Sequence, residues 1–224
     1  LDWTNTSGRV TKGTVKSMHA KVLLTMAGYP LQKGAEYYTK AYNMAKQVYN
    51  SGKFYLFDSY EELRTVENSG EIIWSIQREA DNAGNPLHSA LLAYPAPVKS
   101  VSASAAHGGA ITVTQLFFDT YPEGDKRREE RNFYYTQHEA LDKSGMVDLG
   151  RLYIYKYWDQ NAAEFGKSGA NFTLLRYADV LLMMAEAKAQ ADGGSTTDAD
   201  AIKAYYAVRK RALPHEEKPT SITT

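Results

Sequence analysis

The chain has 224 residues, of which 43% are hydrophobic, and this is enough to bury one substantial core or two small ones. Its 26 Lys and Arg residues balance its 26 Asp and Glu residues, so no net charge attracts it to nucleic acid or to an anionic membrane. It contains no cysteine, which excludes disulfides, zinc–thiolate sites and thiol nucleophiles.

No stretch of the sequence approaches the roughly 20 apolar residues that a membrane-spanning helix needs. The longest apolar run, from Val180 to Ala185, is far too short. The sequence opens on Leu1 and shows no signal peptide, so we expect an internal fragment that is truncated at both ends.

Residues 9–52 predict a pair of amphipathic helices. The first runs from about Thr11 to Ala27 and carries apolar residues at helical spacing, namely Val15, Met18, Val22 and Met26. The second runs from about Ala35 to Asn50 with the same period. Because the loop between them is short and contains Gly and Pro, we expect an antiparallel hairpin of the tetratricopeptide kind.

Residues 53–172 form the irregular part of the sequence. The run Glu71–Ile76 is dense in β-branched and aromatic residues and predicts a strand. The aromatic-rich segments Asn132–Gln137 and Leu152–Trp158 also predict strands. Residues 81–111 are rich in Gly, Pro, Ser and Ala and predict a long loop, which is the kind of segment that often carries function.

Residues 174–213 predict a second helix pair. Its first helix, about Leu174 to Ala191, is apolar on almost every face between Ala178 and Ala185, which is typical of a buried helix. Its second helix begins near Thr197, where Thr197 and Asp200 fit a capping pattern. We expect these helices to pack against each other as the first two do.

Two charged residues lie at the start of the buried-looking helix. Arg176 and Asp179 are three residues apart and share a face. A buried charge needs a partner, so these residues belong either to a structural ion pair or to an acid–base or metal site. We favour the structural ion pair, because it is the commoner cause of such a placement.

Several phrases of the sequence occur together in an order typical of one protein family. They are GRVTKGTV at residues 8–15, the segment Asn68–Ile76, LRYADVLLMMAEA at residues 175–187, and the segment Ala201–Ala212. On these phrases and their order, the chain resembles the SusD/RagB family of Bacteroidota outer-membrane lipoproteins. The resemblance covers nearly the whole chain, so we expect residues 1–224 to form a single SusD/RagB-like region.

The resemblance implies a mainly α fold, in which tetratricopeptide-like helix pairs build an α-α superhelix and a smaller irregular part contains short strands. It implies a lipid anchor, outside this sequence, that holds the full-length protein on the extracellular face of the outer membrane. It also implies a SusC-like, TonB-dependent transporter as partner. Captured oligosaccharides or other nutrients would pass to that transporter without catalysis.

The sequence singles out no catalytic machinery. Neither a G-x-S-x-G elbow nor an H-E-x-x-H motif occurs, and the five His residues lack metal-ligand spacing. Glycosidase carboxylates can be distant in a chain, but no pair stands out here. We therefore expect no enzyme activity, no catalytic residue, no metal site and no cofactor.

Glycan capture requires only an aromatic face for the apolar side of a sugar ring and polar groups for its hydroxyls. Trp158 is followed by Asp159 and Asn161 and is our first candidate for such a site. Tyr94 beside a Pro-rich segment is the second, and His107 beside two glycines is the third. For each aromatic, the structural alternative is a loop side chain that packs against the core.

Two readings of the function follow from the sequence. The first is a cell-surface protein that binds oligosaccharides and delivers them to a transporter. The alternative is a helical protein–protein interaction scaffold, or a transporter lid, with little sugar affinity of its own. Specific oligosaccharide binding would favour the first, whereas co-purification with a transporter and no measurable ligand would favour the second.

Overall fold

The computed structural model describes residues 1–93, 101–103 and 109–224. The contacts of the chain divide it into two compact units. Unit 1 comprises residues 1–58, 66–75 and 173–224, and unit 2 comprises residues 59–65 and 76–172. The sequence predicts a single region with a helix pair at 9–52, an irregular part at 53–172 and a second helix pair at 174–213. That domain organisation stays a prediction.

The described residues contain α-helices joined by turns and three two-stranded sheets. The helices are α1 (Lys12–Ala27), α2 (Ala35–Asn50), α3 (Glu62–Thr65), α4 (Pro86–Leu91), α5 (Gln115–Phe118), α6 (Gln160–Phe165), α7 (Tyr177–Ala191) and α8 (Ala199–Ala212). The strands are β1 (Ile72–Ile76), β2 (Tyr134–Glu139), β3 (Met146–Ile154), β4 (Phe172–Arg176), β5 (Ser195–Thr196) and β6 (Ile222–Thr223). The sheets pair β1 with β4, β2 with β3 and β5 with β6.

Unit 1 is built from two helix pairs. Helix α2 packs against both α1 and α7, and α7 packs against α8. The core lies where these helices meet and includes Ala41, Ala45, Val180 and Met184, none more than 1% exposed. Small side chains on α2 allow a close approach, and larger ones on α7 fill the remaining space. This confirms the prediction of a mainly α fold made of helix pairs, with an irregular part that contains short strands.

The buried face of α1 differs from the predicted one. Val15 and Val22 are each 48% exposed, whereas Gly13, Ser17 and Ala20 are buried. A Cβ atom at Gly13 would lie 2.4 Å from Cζ of the Phe54 ring, so only glycine fits beneath that ring. The predicted apolar face of α1 is therefore wrong, because close backbone approach, and not hydrophobic size, decides which side of this helix is covered.

A buried carboxylate joins several segments of unit 1. Glu71 is fully buried, and its Oε2 accepts a hydrogen bond from the Phe57 backbone N–H at 2.9 Å. Its Oε1 accepts from Nη2 of Arg211 at 3.1 Å and from Nη1 of Arg176 at 3.3 Å. The structural ion pair predicted at Arg176 is confirmed, with Glu71 as its partner. Asp179 caps α7 by accepting from the Arg176 backbone N–H at 2.8 Å.

Three predicted element boundaries are corrected. Helix α7 begins at Tyr177, since the preceding residues form β4. Asp198, and not Thr197, caps α8, because its carboxylate accepts from the Ala201 backbone N–H at 2.9 Å. The strand predicted at Leu152–Trp158 lies earlier, as β3, and the chain turns after it where the Trp158 N–H donates to the Tyr155 carbonyl at 2.8 Å.

Unit 2 is organised around the β2–β3 hairpin. The strands pair antiparallel from Tyr134 opposite Ile154 to Glu139 opposite Met146, with an irregularity between Tyr135 and Gln137. Tyr135 is fully buried, and its hydroxyl accepts from the Ala93 backbone N–H at 3.1 Å. The hairpin therefore carries its own small aromatic core. No helix in the described parts of the chain is long and apolar enough to span a membrane.

Candidate functional site

Unit 2 contains a pocket of about 450 Å³, within the size range of small-molecule sites. Five of the residues around it have aromatic rings. The described lining residues are Thr112, Val113, Thr114, Phe117, Tyr121, Phe133, Tyr134, Ile154, Lys156 and Tyr157. We call this the aromatic pocket.

Backbone hydrogen bonds bring the walls of the aromatic pocket together. The Val113 N–H donates to the Leu152 carbonyl at 3.1 Å, which fixes the segment before α5 against β3. The N–H groups of Tyr155 and Lys156 both donate to the Phe133 carbonyl, at 2.7 and 3.1 Å. Residues distant in sequence therefore face one opening.

Helix α5 presents an aromatic side chain at the pocket. Thr114 caps this helix by accepting from the Phe117 backbone N–H at 3.3 Å. The Phe117 ring packs edge-on against Tyr121, with centroids 5.8 Å apart, yet 52% of the residue is exposed. Phe117 is therefore oriented by a neighbouring ring and still offers an accessible surface.

Two further rings of the pocket, those of Tyr121 and Tyr134, have polar partners. The Tyr121 and Tyr134 hydroxyls are 2.9 Å apart, and burial and this hydrogen bond together raise the pKa of Tyr134. The Arg127 guanidinium lies 4.7 Å from the Tyr121 centroid and pairs with the buried carboxylate of Asp125. Burial alone would raise the pKa of Asp125, but the side-chain and backbone hydrogen bonds from Arg127 outweigh it, and the pKa is lowered. These contacts hold the Tyr121 and Tyr134 rings in place at the wall of the pocket.

A second groove, of about 510 Å³, lies in unit 1 along α7, α8 and residues 216–224. Tyr205 supplies the one aromatic ring among its described lining residues, which include Glu186, Glu216 and Glu217. Arg209 is already paired with Glu216. The groove thus offers few surfaces for the apolar face of a sugar, and the aromatic pocket is the better candidate for glycan binding.

The structure places Trp158 in the core of unit 2. It is 8% exposed, and its ring stacks on His138 at 4.2 Å and on Tyr155 at 5.4 Å between centroids. Its Nε1–H donates to Oε1 of Gln160 at 3.3 Å. Protein rings therefore occupy the surfaces that the prediction assigned to a sugar.

Asp159 and Asn161 lie at the start of α6. The Asp159 carboxylate accepts from the Asn161 backbone N–H at 2.9 Å and lies 3.7 Å from Nδ1 of His88. Burial alone would raise the pKa of Asp159, but hydrogen bonds with His88, Ser168 and Asn161 outweigh it, and the pKa is lowered. The Asn161 side chain is exposed.

Neither Trp158, Asp159 nor Asn161 is among the described residues that line the aromatic pocket. Tyr94 and His107 lie outside the described residues. A ligand-binding role for these five residues stays a prediction. The sequence analysis did not identify the residues that line the aromatic pocket. Phe and Tyr are frequent at 117–121, 133–135 and 153–157, and this frequency is the sequence signal from which they could have been found.

Comparisons with known proteins point to one family. A family model described as the SusD family matches residues 120–219. A SusD superfamily protein from Parabacteroides distasonis ATCC 8503 superposes with a TM-score of 0.85 at 34% identity, covering 98% of this chain and 48% of that one. A comparison with curated proteins gives no match.

Two further solved structures share the fold at lower identity. A structure with xylogluco-oligosaccharide superposes with a TM-score of 0.80 at 22% identity, covering 100% of this chain and 48% of that one. Surface glycan-binding protein A from Bacteroides thetaiotaomicron, in complex with laminarihexaose, superposes with a TM-score of 0.73 at 22% identity, covering 98% and 52%. The chain spans about half the length of the solved relatives it matches.

Proposed function

Because this chain is a SusD-like protein, we propose that it captures oligosaccharides at a cell surface and that the aromatic pocket is its binding site. One observation carries the proposal: five aromatic rings from distant parts of unit 2 surround one opening of about 450 Å³. The apolar C–H face of a sugar packs on such rings, and its hydroxyls need nearby polar groups. Thr112, Thr114 and Tyr157, each of which carries a hydroxyl group, line the same opening.

The chemistry of the pocket supports binding rather than hydrolysis. Glycoside hydrolysis generally requires two carboxyl groups that flank the scissile bond. The described lining residues include neither Asp nor Glu. In the described part of the chain, no group of three or more His, Cys, Asp or Glu side chains is arranged to hold a metal ion. We propose that the protein holds its ligand unchanged.

We further propose that the bound oligosaccharide passes to a SusC-like, TonB-dependent transporter on the extracellular face of the outer membrane. Support comes from the family match and from the names of two relatives, which are surface glycan-binding proteins of Bacteroides species. Co-purification of the full-length protein with its transporter from outer membranes tests this step. Recovery of the protein in another cell fraction, without a transporter, would contradict it.

Calorimetric titration with a panel of oligosaccharides, including xyloglucan fragments and laminarihexaose, tests the binding site. We expect a Phe117→Ala or Tyr157→Ala variant to lose about 1 kcal/mol of binding free energy, a fivefold weakening, because each removes one ring from the pocket. Phe165→Ala is the matched control, since Phe165 is 69% exposed in the same unit and is not a lining residue. Equal affinities for wild type and both pocket variants would refute the assignment.

A further inference from the structure

Lys156 is the one charged residue among the described residues that line the aromatic pocket. Its Nζ atom lies 5.3 Å from the ring centroid of Phe133 and 5.2 Å from that of Tyr157. Among the residues that the structure describes, neither an Asp nor a Glu forms an ion pair with this lysine. The pocket therefore contains a cation whose contacts are with ring faces.

Other cations near the pocket are already compensated. Arg127 pairs with Asp125, and Arg128 donates to the Tyr121 carbonyl at 3.2 Å and lies 4.0 Å from Asp119. Ring faces attract an ammonium group more weakly than an anion does, because an anion also accepts a charge-assisted hydrogen bond. Binding of a negatively charged ligand group would therefore stabilise Lys156 more than it would stabilise Arg127 or Arg128.

We propose that the aromatic pocket selects oligosaccharides that carry an anionic group, a carboxylate or a sulfate, which Lys156 binds. The Tyr157 ring, which lies beside the ammonium group, packs against the sugar that bears the anion. This inference rests on the proposed function, because it names the ligand class of the same pocket. The balanced charge of the whole chain does not oppose it, since the field inside a pocket is set by the groups that line it.

Two matched pairs of ligands test the selection. Tetragalacturonate is compared with its methyl ester, which differs only in the neutralised carboxylates. A sulfated carrageenan tetrasaccharide is compared with its desulfated form, and this arm distinguishes sulfate from carboxylate. Each is titrated into wild type, Lys156→Gln, Lys156→Arg and Lys143→Gln. The Lys143→Gln control removes the same charge from an exposed turn of unit 2 that does not line the pocket.

We expect at least one charged ligand to bind wild type about tenfold more tightly than its neutral partner, as a charge-assisted hydrogen bond provides. Lys156→Gln should abolish this ratio, Lys156→Arg should retain most of it, and Lys143→Gln should leave it unchanged. The inference is overturned if neutral and charged forms bind equally, or if the ratio survives in Lys156→Gln. If none of the four ligands and no other oligosaccharide binds wild type, the proposed function itself fails.

Discussion

Replacement of Glu71 by Gln removes the negative charge that two arginines of unit 1 share. The carboxylate is fully buried, the Arg211 side chain is 9% exposed and the Arg176 side chain is 23% exposed. Each carboxylate oxygen accepts two hydrogen bonds: Oε1 from the two arginines, and Oε2 from Arg211 and the Phe57 backbone. Whichever way the Gln amide turns, its NH₂ group replaces one of these acceptors and faces donors.

The expected cost follows from that geometry. Removing one partner of a buried ion pair leaves an uncompensated charge and costs about 3–5 kcal/mol. Since a whole domain is stable by only about 5–15 kcal/mol, this is a large fraction of the total. The loss should appear in unit 1, because Glu71 ties the segment after α2 to the start of α7 and the end of α8.

Equilibrium urea unfolding, followed by circular dichroism at the helix signal, measures this loss. Glu186→Gln is the matched control, because Glu186 is an exposed residue of α7 and such substitutions change stability by about 0.5 kcal/mol or less. We expect a clearly lower midpoint for Glu71→Gln and an unchanged one for the control. A loss below about 1 kcal/mol for Glu71→Gln would refute the reasoning, because the two arginines would then not depend on this carboxylate.

Three further substitutions test the packing described above. Trp158→Ala should lower the free energy of unfolding by about 3–5 kcal/mol, because it empties a buried ring position; a stable variant with weaker sugar binding would instead support a ligand role for Trp158. Asp125→Asn should make the stability of the fold decrease less on acidification than it does in wild type. The pKa of Asp125 is lowered from 3.8, so its carboxylate stabilises the fold above that value, and this contribution is lost as the pH falls through the lowered pKa. An unchanged pH profile in thermal unfolding would contradict this role. Gly13→Ala should lower the free energy of unfolding in urea by about 1–3 kcal/mol, because the added Cβ would overlap the Phe54 ring. Since Ala has the better helix propensity, a gain in stability would contradict the close contact.

The helix pairs could be predicted from the sequence because their signals are local. Helix α2 occupies Ala35–Asn50 as expected, since its apolar period lies within the segment and Gly52 follows its end. The buried face of α1 could not be predicted in this way. Its contact face is set by Phe54, a residue beyond the end of α2, and the fit of that ring over Gly13 leaves no trace in the periodicity of α1.

The aromatic pocket lay beyond sequence reasoning for a related reason. Trp158 has polar neighbours in sequence, and this local pattern is typical of a sugar platform. The rings of Tyr155 and His138 cover it in the structure, and His138 lies on β2, outside the segment around Trp158. Phe117 and Tyr157, by contrast, line one opening because a backbone hydrogen bond joins Val113 to Leu152, a residue far along the chain. The residue types could be read from the sequence, whereas their convergence required the tertiary structure.

Amide hydrogen exchange, measured with and without a bound oligosaccharide from the titration panel, tests the central claim most directly. Binding in the aromatic pocket should slow exchange at residues 112–121, 133–134 and 154–157, because ligand contact stabilises the segments that line it. Protection confined to the groove of unit 1, at residues 182–186, 205–209 and 216–224, would contradict the assignment of the site.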